Sequence, residues 1–559
     1  MNYQRDFISL IEKGNLVDEI QPFYEQYKQN IQISANNEEA FREACSYGHL
    51  ELAQWLYQIK PTIDISAQNE EAFRWACSYG HLKLAQWLYQ IKPTINISAY
   101  NEHAFRYACS NGHFEVAQWL YQIKPTINIS NVLEHANVLE HAFSGACKFG
   151  HLDVAQWLYH IKHTIEISTL NEETFRWVCC NGHLDVAQWL LQIKPTIDIS
   201  DGNEHAFRGA CFSGHLEVAQ WLLQIKPTID ISAKNEDAFK WACRNGHLEI
   251  TKWLYRIKPT IDISAYNEDA FRWACTCGHL DVAQWLYKIK PTIDISDGNE
   301  YIFLVACCYG YLDIVQWLYK IKPTIDISAR NEYAFRGACQ YGHLEIAQWL
   351  YKIKPTINIS TDNEDAFRWA CRNGHFEIAQ WLYQIKPTID ISARNNDAFR
   401  WACRNGHLEI TKWLYQIKTT IDISACNDEA FRMACRLGLL EVAQWLCQIK
   451  PTINISANNE EAFRSACDYG HLEVAQWLQS LTPYYSLYYK FDVDTNNQIV
   501  SYSTEKLNYE FLKKRFDTVH PGNEICFREA LIRNRFHPKY MDKWVDWGHE
   551  DPEDFDMMN

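Results

Sequence analysis

Tryptophan recurs along this chain at a fixed interval. Trp55, Trp87 and Trp119 are 32 residues apart, one step of 38 leads to Trp157, and the 32-residue step then runs through Trp189 and Trp221 to Trp477. A period of this size marks stacked supersecondary units, each too small to bury its own apolar face. It overrides the several separate domains that a 559-residue chain would otherwise suggest. The long step comes from a duplication: Asn131–Ala136 is repeated as Asn137–Ala142.

One unit, Ala67–Ser98, reads AQNEEAFRWACSYGHLKLAQWLYQIKPTINIS. Ala72, Phe73, Ala76 and Cys77 share one face of a first helix. Gly80 stands where that helix should stop. After His81, the residues Leu82, Leu84, Ala85, Leu88 and Tyr89 form a second apolar stripe, which Pro93 terminates. Thr94–Ser98 alternates apolar and polar residues and reads as a short extended link. The expected order is helix, turn, helix, finger, with neighbouring units stacked to close the core.

Gly80-His81-Leu82, followed by Leu84-Ala85 and Leu88, resembles the Gly-His-Leu stretch of ankyrin repeats, whose period is about 33 residues. The resemblance extends over residues 3–480. It implies an all-α fold, an ankyrin-like helix-turn-helix repeat solenoid, here with a small C-terminal α+β segment. Residues 1–34 read as a degenerate N-terminal capping repeat, with Gly14-Asn15-Leu16 in the place of Gly-His-Leu. Residues 35–480 hold fourteen repeats, and 481–559 form a C-terminal cap or effector segment. The family's Thr-Pro-Leu-His is replaced by Glu71-Ala72-Phe73-Arg74, and its residues before the finger by Lys92-Pro93-Thr94. The wording AFRWAC and HLEVAQWL is similar to repeat proteins of giant amoeba-infecting viruses. That similarity implies a viral protein in the host-cell cytoplasm.

The net charge of −16 argues against a nucleic-acid partner, which would require a basic stripe. No apolar run approaches the ~18 residues of a membrane span. The opening Met1–Asp6 lacks the apolar core of a secretory signal, so an intracellular protein is expected. Cysteines occupy one repeat position, from Cys45 and Cys77 to Cys435 and Cys467. Stacked helices lie ~8–10 Å apart, too far for these cysteines to pair, so they read as small buried hydrophobes.

Comparison among the repeats locates the candidate binding residues. The framework hardly varies, whereas positions equivalent to Gln68, Glu71, Trp75, Ser78 and Tyr79 change freely. Helical spacing puts 71, 75 and 78/79 on one face of the inner helix. In ankyrin proteins this is the concave face that grips partners. Trp75, Trp177, Trp241, Arg244, Trp273, Trp369, Arg372, Trp401 and Arg404 are the candidate partner-binding residues, since Trp and Arg often anchor interfaces. Asp237, Asp269, Asp365 and Asp397 lie beside them, and packing between repeats is the competing reading for each tryptophan.

The histidines after glycine, such as His81 and His247, recur once per repeat, too far apart to chelate together, and read as turn residues. The framework tryptophans read as an indole ladder along the outer helices. In the C-terminal segment, Tyr484–Asp494 and Gln498–Ser503 read as a hairpin, and Glu505–Phe516 and Glu524–Arg535 as helices. Asp492–Ser503 lacks the glycine and glutamate of a calcium loop, and His520, Cys526, His537 and His549 fit no zinc spacing. No catalytic set, cofactor motif or metal site emerges. The expectation is a non-enzymatic, monomeric scaffold that binds a protein. The alternatives are a ubiquitin-ligase substrate adaptor recruiting through 481–559, and a structural or virion component.

Overall fold

The computed structural model describes residues 3–125, 138–161, 167–263, 265–295, 297–455 and 457–481, together with two strands, Tyr489–Val493 (β1) and Ile499–Thr504 (β2). The chain forms a helical-repeat solenoid that divides into two compact units. One is Met1–Ile302 with Asp313–Lys322, the other Phe303–Leu312 with Pro323–Asn559.

In the first unit the repeat is an inner helix, Ala67–Ser78, followed by an outer helix, Leu82–Ile91. The apolar stripes read from the sequence are the buried ones: Phe73, Ala76, Cys77, Leu84, Ala85 and Leu88 are at most 1% exposed. Inner helices pack in series, Ala35–Ser46 on Ala67–Ser78 and that on Ala99–Ser110. The second unit repeats the arrangement with Ala329–Gln340, Thr361–Arg372, Ala393–Arg404 and Ala425–Arg436.

The inter-helix turn explains the recurrent Gly-His pair. Gly80 has φ +83°, a conformation glycine adopts without strain. The imidazole of His113, from the next repeat, lies against its Cα, where any Cβ would collide with it. Histidines of this turn also reach back across the interface: His81 Nε2 lies 3.0 Å from the Ser46 carbonyl oxygen, and His375 Nε2 3.0 Å from that of Gln340. The turn histidines are structural, as expected. Among the described residues no group of His, Cys, Asp or Glu is placed to hold a metal.

Three expectations are corrected. Among the ring contacts of the described residues, the framework indoles meet phenylalanine and tyrosine rings rather than one another. Trp87 meets Phe41 at 6.4 Å and Tyr57 edge-on at 6.0 Å, and Trp119 meets Phe73 and Tyr89 in the same way. Each therefore staples its repeat to the one before. Thr94–Ser98 is not extended: Ile95 N–H donates to the Lys92 carbonyl and Ala99 N–H to that of Asn96, giving two tight turns that still bury Ile95 and Ile97. The first helix, read from Ala72 onward, is preceded by a left-handed turn, with φ of +54°, +56° and +63° at Gln68, Asn69 and Glu70.

The fourteen repeat-position cysteines are buried and unpaired. Desolvation holds their thiols well above the ordinary range; that of Cys243 is pushed up to about 12. The expected hairpin is present as β1 and β2, antiparallel, with an irregularity between Asp492 and Val493. β2 lies against the last inner helix, Ala457–Asp468. The expected helices 505–516 and 524–535 and the four candidate zinc residues lie outside the described residues. Among the described residues no helix is long and apolar enough to cross a membrane.

Candidate protein-binding face

The face in question is built on the left-handed turn. A run of L-residues with positive φ is costly, yet it recurs at Asn36–Glu38, Tyr100–Glu102, Lys234–Glu236, Arg330–Glu332 and Arg394–Asn396. The framework arginine holds it. Arg74 Nε donates to the Asn69 carbonyl at 2.8 Å and Nη2 to that of Gln68 at 3.1 Å, satisfying oxygens that the turn leaves unpaired. The glutamate of the turn is fastened as well: Glu70 accepts from Ser66 Oγ of the preceding repeat at 2.7 Å and from Asn96 N–H, near the end of its own repeat, at 3.1 Å. The carboxylates repeated along the array therefore serve as structural acceptors.

The same arginine extends to the following repeat. Arg208 pairs with Asp237 at 3.2 Å, Arg336 with Asp365 at 2.5 Å and Arg368 with Asp397 at 2.5 Å; Arg42 with Glu71 and Arg432 with Glu461 do likewise. Asp237, Asp365 and Asp397, which the sequence placed among the variable surface residues, are thus half-buried members of an inter-repeat ladder. Asp269 pairs with Arg272 at 3.4 Å. Ser78 is also not a surface residue: it is buried, and its hydroxyl donates to the Arg74 carbonyl.

The variable positions of the inner helices touch in pairs across repeat boundaries, buried where the residues are small, as at Cys180 and Cys308, and exposed where they are large, as at Trp177 and Phe212. The residue after the cysteine meets the Trp75-type residue of the next repeat. Ser110 fills the space above Gly145, Cys180 that above Gly209, and Cys308 that above Gly337. At three boundaries the first is basic and the second is tryptophan: Lys148 lies 4.4 Å from the Trp177 ring, Arg244 4.2 Å from that of Trp273, and Arg372 3.6 Å from that of Trp401, whereas Arg404 and Arg436 precede Met433 and Ser465. Phe212 meets Trp241 edge-on at 5.4 Å. Of the two readings weighed for these tryptophans, packing between repeats is therefore what the structure shows. Each indole packs laterally and keeps an open edge; Trp177 is 43% exposed and Trp273 38%.

The two units present this face differently. In the first, Trp75 stacks on Tyr79 at 5.4 Å and meets His103 edge-on at 5.7 Å, and His103 stacks on Tyr107 at 4.2 Å. Burial beside Arg74 and Arg106 lowers the His103 pKa to about 4, so its imidazole is neutral near pH 7. In the second, Trp369, Arg372, Trp401 and Arg404 stack alternately, with ring-to-guanidinium distances of 4.4, 3.6 and 4.4 Å. Where the position after this pair is asparagine, as at Asn111, Asn245, Asn373 and Asn405, its amide donates to a carbonyl of the preceding repeat. Where it is tyrosine, as at Tyr47, Tyr79, Tyr309, Tyr341 and Tyr469, the ring is exposed.

The model of the family "Ankyrin repeats (3 copies)" matches residues 41–131, 143–235, 210–299, 239–331, 303–395, 334–426 and 399–487, well over half of the chain. The chain belongs to the ankyrin-repeat family. A search of curated proteins returned no match. Ankyrin repeats bind other proteins, and the paired aromatic and basic positions lie on the inner helices of these repeats. The ankyrin framework here carries arginine and aspartate or glutamate between repeats where the family's usual histidine is replaced by Arg74 and its equivalents.

Proposed function

We propose that this ankyrin-repeat chain is a non-enzymatic recognition scaffold that grips a protein partner on its inner-helix face. The observation that carries this reading is the division of labour among side chains. Framework arginines, carboxylates, histidines and tryptophans are engaged between repeats. The variable positions display indole edges, tyrosine rings and guanidinium groups held in place by their neighbours. Groups fixed before binding lose little entropy on complex formation, and Trp, Tyr and Arg are the side chains that most often dominate interface energy. The repetition of one constellation along the array fits recognition better than catalysis, which uses a single special site.

The similarity of the AFRWAC and HLEVAQWL wording to giant-virus repeat proteins extends the proposal to a viral protein acting, as a monomer, in the cytoplasm of an amoebal host. The test is affinity capture from amoebal lysate with the full chain, with the chain lacking 481–559, and with Trp241, Trp273, Trp369 and Trp401 changed to Ala. A partner retained by the truncation and lost by the folded tryptophan variant supports the proposal. A partner lost only with 481–559 transfers recognition to the C-terminal segment and supports the adaptor reading instead.

A further inference from the structure

The arginines of this protein fall into two classes. Those of the framework, such as Arg336, Arg368 and Arg400, have their N–H groups taken by backbone carbonyls and by aspartates or glutamates. Arg372 and Arg404 are bound only by their faces. Arg372 lies between the indoles of Trp369 and Trp401, and Arg404 lies on Trp401; among the described residues neither has a carboxylate partner. The acids at the start of the same and the following inner helices, Asp365, Asp397 and Glu429, are already held by Arg336, Arg368 and Arg400.

Two guanidinium groups on one indole, 3.6 and 4.4 Å from its centroid, can be no more than 8 Å apart. Unscreened like charges at that distance repel, in a chain whose net charge is −16. Stacking fixes the planes of both groups and leaves their N–H edges directed away from the rings. A fixed, unpaired guanidinium edge matches a carboxylate through two parallel hydrogen bonds. Alternate residues of an extended strand lie on one face about 6.7 Å apart, within the limit set by Trp401.

From this we infer that the Trp369–Arg372–Trp401–Arg404 stack is a receptor for an extended acidic peptide segment, one carboxylate seated on each arginine, the two acids separated by one residue. The inference rests on the recognition reading above and specifies the chemistry of the partner there. Specificity arises because the protein's own acids are consumed by the framework ladder, so only an incoming acidic chain can complete the stack.

The test uses the full chain and a fluorescein-labelled dodecapeptide, (Asp-Thr)6, with (Asn-Thr)6 as control, followed by fluorescence anisotropy at low salt. Arg372→Gln with Arg404→Gln should weaken (Asp-Thr)6 binding by at least about tenfold, since two charge-assisted pairs are lost. Trp401→Leu, which keeps both charges and removes the shared ring, should weaken it several-fold. Arg256→Gln with Lys288→Gln, which alters net charge equally on exposed outer-helix positions, should leave it within about twofold. Equal binding of (Asn-Thr)6, equal binding by the Arg372/Arg404 variant, or no binding of (Asp-Thr)6 to the unaltered chain would each overturn the inference. Loss of a captured partner in the four-tryptophan variant would still stand in any of those cases, so the two claims fail separately.

Discussion

Arg368 Nη1 lies 2.5 Å from a carboxylate oxygen of Asp397 in the next repeat, while Nε of the same guanidinium donates to the Asn363 carbonyl at 2.8 Å. One side chain thus stabilises a left-handed turn and joins two repeats. Arg368→Met should cost about 3 kcal/mol, because it leaves the turn oxygens without their donor and Asp397 with only its longer contact to Arg400, at 3.4 Å. Urea unfolding measures it. In a stacked array the loss should appear as local opening near the interface, so hydrogen exchange at Asn363–Asp397 should accelerate more than at Phe41–Phe73. A uniform change, or none, would show that the ladder does not hold the turn.

Gly80 and His113 make a second interface device. Gly80→Ala places a Cβ both in a positive-φ position and against the imidazole. It should destabilise by about 2 kcal/mol or more. His113→Ala in the same chain relieves the collision but not the backbone strain, so the double variant should recover only part of the loss. Full recovery would mean that strain at this position is negligible.

Leu439 replaces the turn histidine in one repeat, and its methyl group lies 3.0 Å from where a Cβ on Gly406 would be. A histidine here would face the Arg404 carbonyl as His407 faces that of Arg372, 3.1 Å away. Leu439→His should therefore raise stability by about 1 kcal/mol, a gain readable as a higher urea midpoint. A lower midpoint would mean that the leucine packs better than the hydrogen bond it displaces.

Burial lowers the pKa of His81, His113, His183, His215, His247 and His375 below the ordinary histidine value, and that of His103 to about 4. In the window between those folded values and the unfolded value near 6.5, the unfolded chain binds more protons than the native one. The stability contributed by the neutral rings is therefore fully present above about pH 6.5 and is lost as pH falls. Burial raises the Glu43 pKa, which acts in the opposite direction at one site. The urea midpoint should fall between pH 7.5 and pH 5, and His103→Gln should reduce the fall. A midpoint that rises over this interval contradicts the assignment of neutral turn histidines.

The period, the helices and the buried Phe73-Ala76-Cys77 face were legible because hydrophobic periodicity is a local property of adjacent residues. The hairpin at β1 and β2 was legible for the same reason. The left-handed turn was not. Asn69 and its equivalents favour such a conformation, but Gln68, Tyr100, Lys234 and Arg330 do not, and the stabilising arginine lies beyond the turn it secures. The recurrence of Asn-Glu with Phe-Arg a few residues later was the available signal. Pairing across repeats was hidden for another reason: Cys180 and Gly209, or Arg372 and Trp401, are neighbours only once the repeats stack. Ser78 and the aspartates were for that reason misassigned to the surface of the inner helices.

The central claim is that recognition occurs on the inner helices. Hydrogen exchange of the full chain, with and without the partner recovered by capture, tests it most directly. The account predicts protection in the last turns of the inner helices, at Trp369–Arg372 and Trp401–Arg404 among them, with the outer helices such as Phe376–Ile385 unchanged. Protection confined to the outer helices, or to 481–559, would contradict it.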